Sequence, residues 1–278
     1  MDYIFSPSLG TFLDLALARM RAGHGATLLL EGPPGGGKTA FAKAVAARLG
    51  ATLHYYAGAP DRERDLLYEV DVHGVVTRTG AWVPGPAWEA FAASAAGRPA
   101  VLLVDEADKT APGFDAFLLR LLEEGEFRAP DGSTITADPA HLAVILTSNG
   151  RRALRPEVLR RCQRITVPRP DRSRQAAIVR QLTGPGVPAA LLSLLIRIGD
   201  AVHAASPEQA PSPKEIALCA LDLLTLSRDG DPEVPVIREV AASWLVKGGG
   251  PEAVDRAVPG FKWARALRTE ATACKAAA

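Results

Sequence analysis

The eight residues Gly32-Pro33-Pro34-Gly35-Gly36-Gly37-Lys38-Thr39 constrain this chain more than any other stretch. They fit the pattern G-x-x-x-x-G-K-[ST], in which glycines let successive backbone N–H groups turn inward around a concave anion site. The pattern carries meaning only between a strand and a helix, and the flanking residues supply both. Thr27 to Leu30 is a continuous apolar run, and Phe41, Val45 and Leu49 recur on one helical face. A helix starting near Lys38 would add the positive end of its dipole to the loop. Lys38 is then placed to reach the β- and γ-phosphates of a nucleotide, and the Thr39 hydroxyl to bind Mg2+. A glycine-rich turn that merely starts a helix is the bland alternative.

A second apolar run, Val101 to Val104, ends in Asp105-Glu106. Such a strand delivers carboxylates at its C-terminal edge, where ligands sit in open α/β sheets. Asp105 would hold the metal's hydration shell, and Glu106 would position and polarise an attacking water. Without Lys38 the two acids would read as well as a solvated loop; with it they read as a catalytic pair. The run Asp105-Glu106-Ala107-Asp108 spells the motif of DEAD-box helicases. Those proteins need a second parallel-sheet domain, and they carry serine-alanine-threonine where this chain has Thr147-Ser148-Asn149.

Leu142 to Thr147 is a third unbroken apolar run, and three such runs separated by helical patterns predict a parallel sheet covered on both faces. After Val167-Pro168-Arg169-Pro170 the pattern becomes helical, with candidate helices at Arg172 to Leu182, Ala189 to Ala204, Pro213 to Leu226 and Val236 to Lys247. The expected architecture is α/β: a core over 1–168 and a smaller all-helical domain over 169–278. A glycine- and proline-rich insertion occupies about 70–87, and the stretch 259–278 is either a docked helix or a tail.

Four segments together resemble the MoxR branch of AAA+ ATPases: GHGATLLLEGPPGGGKT, RTGAWVPGPAWEAF, VLLVDEADKTAPGFDAFLLRLLEEGEF and AVILTSNG. The second is similar to the insertion within helix 2 that marks this branch, and Phe127 to Ala140 would match the hairpin before the sensor strand. The resemblance implies an AAA+ P-loop core with a helical lid, working on ATP and Mg2+. It places Asn149 as the sensor 1 residue near the γ-phosphate, against an alternative use in a turn before Gly150. It places the arginine finger, which serves a neighbouring subunit's nucleotide, at Arg161 or Arg160. The neighbouring Arg151, Arg152, Arg155 and Arg164 make a generic basic face the rival reading. Lys214 stands where the family often has the sensor 2 arginine, and lacks the bidentate fork. Trp82 and Val83 are candidates for client contact, with core packing the alternative for Trp82; Trp88, Phe91 and Trp244 read as core.

A finger donated in trans implies a homo-oligomer, and the family expectation is a hexameric ring. The resemblance further implies a chaperone-like remodeller of partner complexes, with a von Willebrand factor A-domain protein among candidate partners. With 31 residues ahead of the loop, no separate recruiting domain is expected there. The formal charge of +1 argues against a protein that coats nucleic acid, yet a nucleic-acid motor or clamp-loader-like subunit is the alternative the arginine-rich segment suggests. A nucleotide-regulated scaffold is a third reading, opposed by the intact Lys38, Asp105 and Glu106 set. No base-reading motif for GTP is present. The three cysteines have neither metal-ligand nor disulfide spacing, and no signal peptide or membrane span is legible, so the expected address is the cytoplasm.

Overall fold

A computed structural model describes residues 3–4, 6–60, 62–71, 73, 82–228, 233–247, 250, 252, 254 and 256. Half of the expected insertion (72 and 74–81) and the whole stretch 259–278 lie outside the described residues. The chain divides into two units: one holds the residues up to Pro33 and Gly37–Pro168, the other Pro34–Gly36 and the residues from Arg169 onward.

The first unit opens with helix α1 (Pro7–Arg21), capped by the Ser6 hydroxyl, which accepts from the Leu9 N–H. Strand β1 (Ala26–Glu31) runs into the phosphate loop, and α2 (Lys38–Leu49) leaves it. Strand β2 (Thr52–Ala57) is followed by a short hairpin of β3 (Tyr68–Val70) and β4 (Trp82–Pro84), then by α3 (Pro86–Ala95). Strand β5 (Ala100–Asp105) leads through a 3-10 turn (Ala107–Lys109) to α4 (Phe114–Glu124). A second hairpin, β6 (Glu126–Arg128) and β7 (Thr134–Thr136), precedes β8 (Leu142–Ser148), helix α5 (Pro156–Arg161) and β9 (Gln163–Thr166).

Five strands form one parallel sheet in the order β2-β5-β8-β1-β9. Side chains alternate across it, as the two-residue period of a strand requires. Leu28, Leu30, Val101, Leu103 and Ile145 meet Leu13, Phe41 and Val45 from α1 and α2 on one face. Leu29, Leu102, Val104, Val144 and Leu146 meet Phe91, Phe114 and Leu118 from α3 and α4 on the other. Strands buried on both faces must be apolar throughout, so β5 and β8 stand out as unbroken runs.

The second unit is helical among its described residues: α6 (Arg172–Thr183), α7 (Ala189–Ala205), α8 (Pro213–Arg228) and α9 (Val234–Leu245). Val179, Leu191, Leu195, Ile216, Leu223, Ile237 and Leu245 make its core. Helix α9 starts and stops two residues before the range expected from periodicity, because Pro235 is tolerated in a first turn where its missing N–H is not needed. At the start of α8, Ser212 N–H and hydroxyl both bond Glu215 (2.7 and 2.8 Å), while Glu215 N–H reaches the Ser212 hydroxyl (3.3 Å). This is a reciprocal capping box, and it leaves the Lys214 side chain exposed in the helix's first turn. No helix among the described residues is long and apolar enough to cross a membrane.

Candidate nucleotide-binding site

The register of the sheet decides which side chains can meet. Glu31 of β1 lies level with Ser148 of β8, and Ala57 of β2 with Asp105 of β5. The phosphate loop, Asp105-Glu106 and Asn149 therefore leave the same C-terminal edge, with β8 between the strands that carry the other two. Gly32 makes the tight exit from β1: its backbone runs so close to Val167 that a Cβ there would stand 2.1 Å from the Val167 carbonyl oxygen. Gly37, at φ 93°, enters α2 from the left-handed region that side-chain-bearing residues avoid.

Lys38 is 7% exposed, and its ammonium donates to the carbonyls of Gly32 (2.8 Å) and Pro33 (2.9 Å) and to Asn149 Oδ1 (2.6 Å). Burial pulls its pKa below the ordinary lysine value, and the charges of Asp105, Asp108 and Glu106 oppose that pull. The Thr39 hydroxyl lies 2.9 and 3.1 Å from the two Asp105 oxygens. Thr147 donates to Asp105 (2.6 Å) and accepts from Glu106 N–H (2.7 Å), so one hydroxyl on β8 fixes both acids.

Glu106 is the single non-glycine residue with positive φ (54°) among the described residues. That conformation costs about 1–2 kcal/mol for an L-residue, and it turns the side chain out of the strand direction. The surroundings hold it there: Gly58 N–H bonds Asp105 O at 2.7 Å, and a Cβ on Gly58 would meet the Glu106 carbonyl oxygen at 2.4 Å. Asn149 Nδ2 donates to Glu106 Oε1 (3.0 Å), and Lys109 pairs with Oε2. Asn149 thus touches both Lys38 and Glu106, a role that turn chemistry alone would not require.

Hard oxygen donors suit Mg2+, which takes one or two carboxylates and fills its remaining positions with water and phosphate oxygens. Thr39 and Asp105 provide such a pair, already in contact. Among the described residues no cluster of three or more His, Cys, Asp or Glu is arranged for a metal.

Three residues hold the site in ways that the motifs do not assign. Tyr55, on the edge strand β2, directs its hydroxyl at Asp105 Oδ2 (3.3 Å). Asp108, 3% exposed, accepts the N–H groups of Asn149 (3.0 Å) and Arg151 (2.8 Å), and so ties the loop after β8 to the turn after Glu106. Lys109 is the third.

The arginine-rich segment is not one basic face. Arg152 turns inward to a buried acid, Asp115, and Arg164 lies against Glu31 (2.8 and 3.1 Å). Arg160 and Arg161 close α5 with exposed side chains, and Arg161 pairs with Glu123. Lys214 belongs to the helical unit. Trp82 is not core: it is 39% exposed on β4, edge-on to Tyr68, with Val83 (48%) and Val70 (45%) beside it. Phe91 is core, and Trp88 is packed against Phe127.

Residues 27–162 match the family of AAA domains of the dynein-related subfamily. That span runs from β1 through the phosphate loop, Asp105, Glu106 and Asn149 to the end of α5. Holliday junction branch migration complex subunit RuvB from Rhodococcus opacus (strain B4) is 44% identical over 68 residues, which is 23% of this chain and 19% of that protein. NtrX from Brucella abortus in complex with ATP superposes with a TM-score of 0.55 at 17% identity, over 84% of this chain and 54% of that one. Its complex with ADP gives 0.56 at 17% identity, over 99% and 66%. This chain spans about a fifth of the RuvB sequence and between about half and two thirds of the NtrX chains. At that identity the superpositions speak for fold alone, and with the match over 27–162 that fold is an AAA+ core of parallel sheet and flanking helices.

Proposed function

We propose that this chain is an ATP·Mg2+ hydrolase that works as a subunit of a ring and uses turnover to remodel a partner protein, in the manner of MoxR-like AAA+ proteins. The observation that carries the reading is the connected set Lys38, Thr39, Asp105, Glu106 and Asn149 at one sheet edge, joined by hydrogen bonds.

Each of these residues has a task that its environment suits. The main-chain N–H groups of 35–39 and the Lys38 ammonium bind the phosphates, and Thr39 and Asp105 would hold the metal, which supplies charge neutralisation at the β- and γ-oxygens. Glu106 orients a water and accepts its proton, and Asn149 holds Glu106 at the working distance from Lys38. Arg160 or Arg161 would reach the neighbour's γ-phosphate; the Arg161–Glu123 pair is exposed and worth about 0–1 kcal/mol, so it can be exchanged for a phosphate. Lys214 is assigned the sensor 2 place. The exposed Val70, Trp82 and Val83 of the β3–β4 hairpin suit an apolar client segment. A hexamer, a von Willebrand factor A-domain partner and a cytoplasmic address complete the reading.

The similarity to RuvB supports a second reading, a motor on branched DNA. The two separate in one experiment: turnover and assembly mass measured against protein concentration, with and without a four-way DNA junction. The protein-remodelling reading predicts that turnover rises as the ring forms and ignores the junction. Salt-dependent stimulation by the junction would favour the motor, and full turnover by a monomer would eliminate the shared-site scheme.

A further inference from the structure

Among the described residues outside the phosphate site, Arg152 makes an unusually dense set of side-chain hydrogen bonds. Its guanidinium grips Asp115 in a two-bonded fork, Nη2 to Oδ1 at 2.7 Å and Nη1 to Oδ2 at 3.0 Å. The same group donates to the Thr110 carbonyl (2.9 Å), the Thr110 hydroxyl (2.9 Å) and the Ala107 carbonyl (3.3 Å). Thr110 in turn donates to Ala107 O (2.8 Å). Asp115 is 1% exposed, and its Oδ2 also accepts the Arg155 N–H at 2.7 Å.

These bonds join three pieces of chain. Ala107 follows Glu106 directly. Asp115 lies in the first turn of α4. Arg155 is the N-cap residue of α5, the helix that ends on Arg160 and Arg161. Helix α5 has six residues and no side-chain cap of its own, too short to hold a direction by its internal hydrogen bonds. Its direction comes from outside: Leu154 and Val158 are buried in the core beside it, and Asp115 secures its start.

We propose that Arg152 and Asp115 are positioning residues for the arginine that α5 offers to the neighbouring subunit, and that they fix its placement relative to the Glu106 turn of their own subunit. This rests on the trans-arginine reading above. A planar fork is needed because a lysine ammonium, a point charge, can satisfy Asp115 without fixing an angle, and the angle is what the far end of α5 inherits.

The test uses mixed assemblies of full-length chains. Lys38→Ala subunits keep their arginines and lose their own site; Arg160→Ala/Arg161→Ala subunits keep their site and lose the arginines. Mixing the two should restore turnover. Asp115→Asn, or Arg152→Lys where Asp115→Asn assembles poorly, is then placed in one partner at a time, with assembly mass checked each time. In the arginine-donating subunit it should cut the restored turnover by at least about tenfold, since displacement of a transition-state contact by about 1 Å costs about a hundredfold. In the site-bearing subunit the loss should be clearly smaller than in the donor, because the arginine contact that moves is not made there and only the bonds to Ala107 and Thr110 beside Glu106 are disturbed. Equal loss in both arrangements would reduce the pair to general stability and overturn the proposal, as would no loss in the donor. Failure of the unsubstituted mixture to recover turnover would overturn the trans-arginine reading itself, a result distinct from either.

Discussion

Glu106→Gln is expected to lower ATP turnover by about 10^2–10^4-fold while leaving nucleotide affinity within about threefold of the parent. Glu106 is the proposed base because Asp105 accepts from Thr39, Thr147 and Tyr55 and is the proposed metal ligand. Glutamine keeps the shape and can still accept from Asn149 Nδ2, so the fold and the left-handed turn at 106 should persist. The Lys109 pair is lost, but both partners are about one third exposed, and such pairs contribute little. Steady-state hydrolysis and equilibrium nucleotide binding, measured side by side, check this. Parallel loss of affinity and turnover would mean that Glu106 shapes the pocket and does not act on water.

The second large effect belongs to α5. Arg160→Ala/Arg161→Ala should reduce turnover of the assembled protein by about 10^3–10^5-fold, the range in which a finger guanidinium neutralises charge on the transferred phosphoryl group. Both side chains are exposed at the helix end, so their removal should cost the subunit's own stability less than about 0.5 kcal/mol. Thermal unfolding of the subunit and the mass of the assembly should therefore match the parent. The single variants distinguish the two arginines: the one whose removal reproduces the double loss is the finger. Unchanged turnover in the double variant would place the finger elsewhere, with the exposed Arg151, Arg155 and Arg164 as the other candidates in the segment.

The sequence was most legible where one physical demand acted alone. The unbroken apolar runs at Val101–Val104 and Leu142–Thr147 are legible because β5 and β8 are covered on both faces, which leaves no polar alternation to confuse the period. The phosphate loop is legible because few other tasks require that spacing of glycines before Lys38 and Thr39. Strand β2 is less visible, since as an edge strand it mixes exposed Tyr55 with buried Tyr56, and with it Tyr55 escapes notice as a partner of Asp105. Strand β9 has one buried residue, Ile165, among polar neighbours. Helix α1 carries a readable stripe (Leu9, Leu13, Ala16, Leu17, Met20), but nothing local says which face of the sheet it covers. Arg152 could not be separated from its arginine neighbours by charge pattern, because the acid that turns it inward lies 37 residues away. Long-range pairing of this kind is set by tertiary packing, and a linear pattern does not encode it.

The central claim is that a triphosphate rests on the main-chain cradle of residues 32–39 with the Lys38 ammonium as its counter-charge. Titrating ATP·Mg2+ into the parent protein and into Lys38→Ala, under conditions where thermal unfolding shows both to be folded, tests it directly. Saturable binding and turnover are expected in the parent, and in the variant an affinity weakened by at least about a hundredfold with turnover at background, since a charge-assisted contact to phosphate of about 3 kcal/mol is removed. Equal affinity and equal turnover in the two proteins would contradict it.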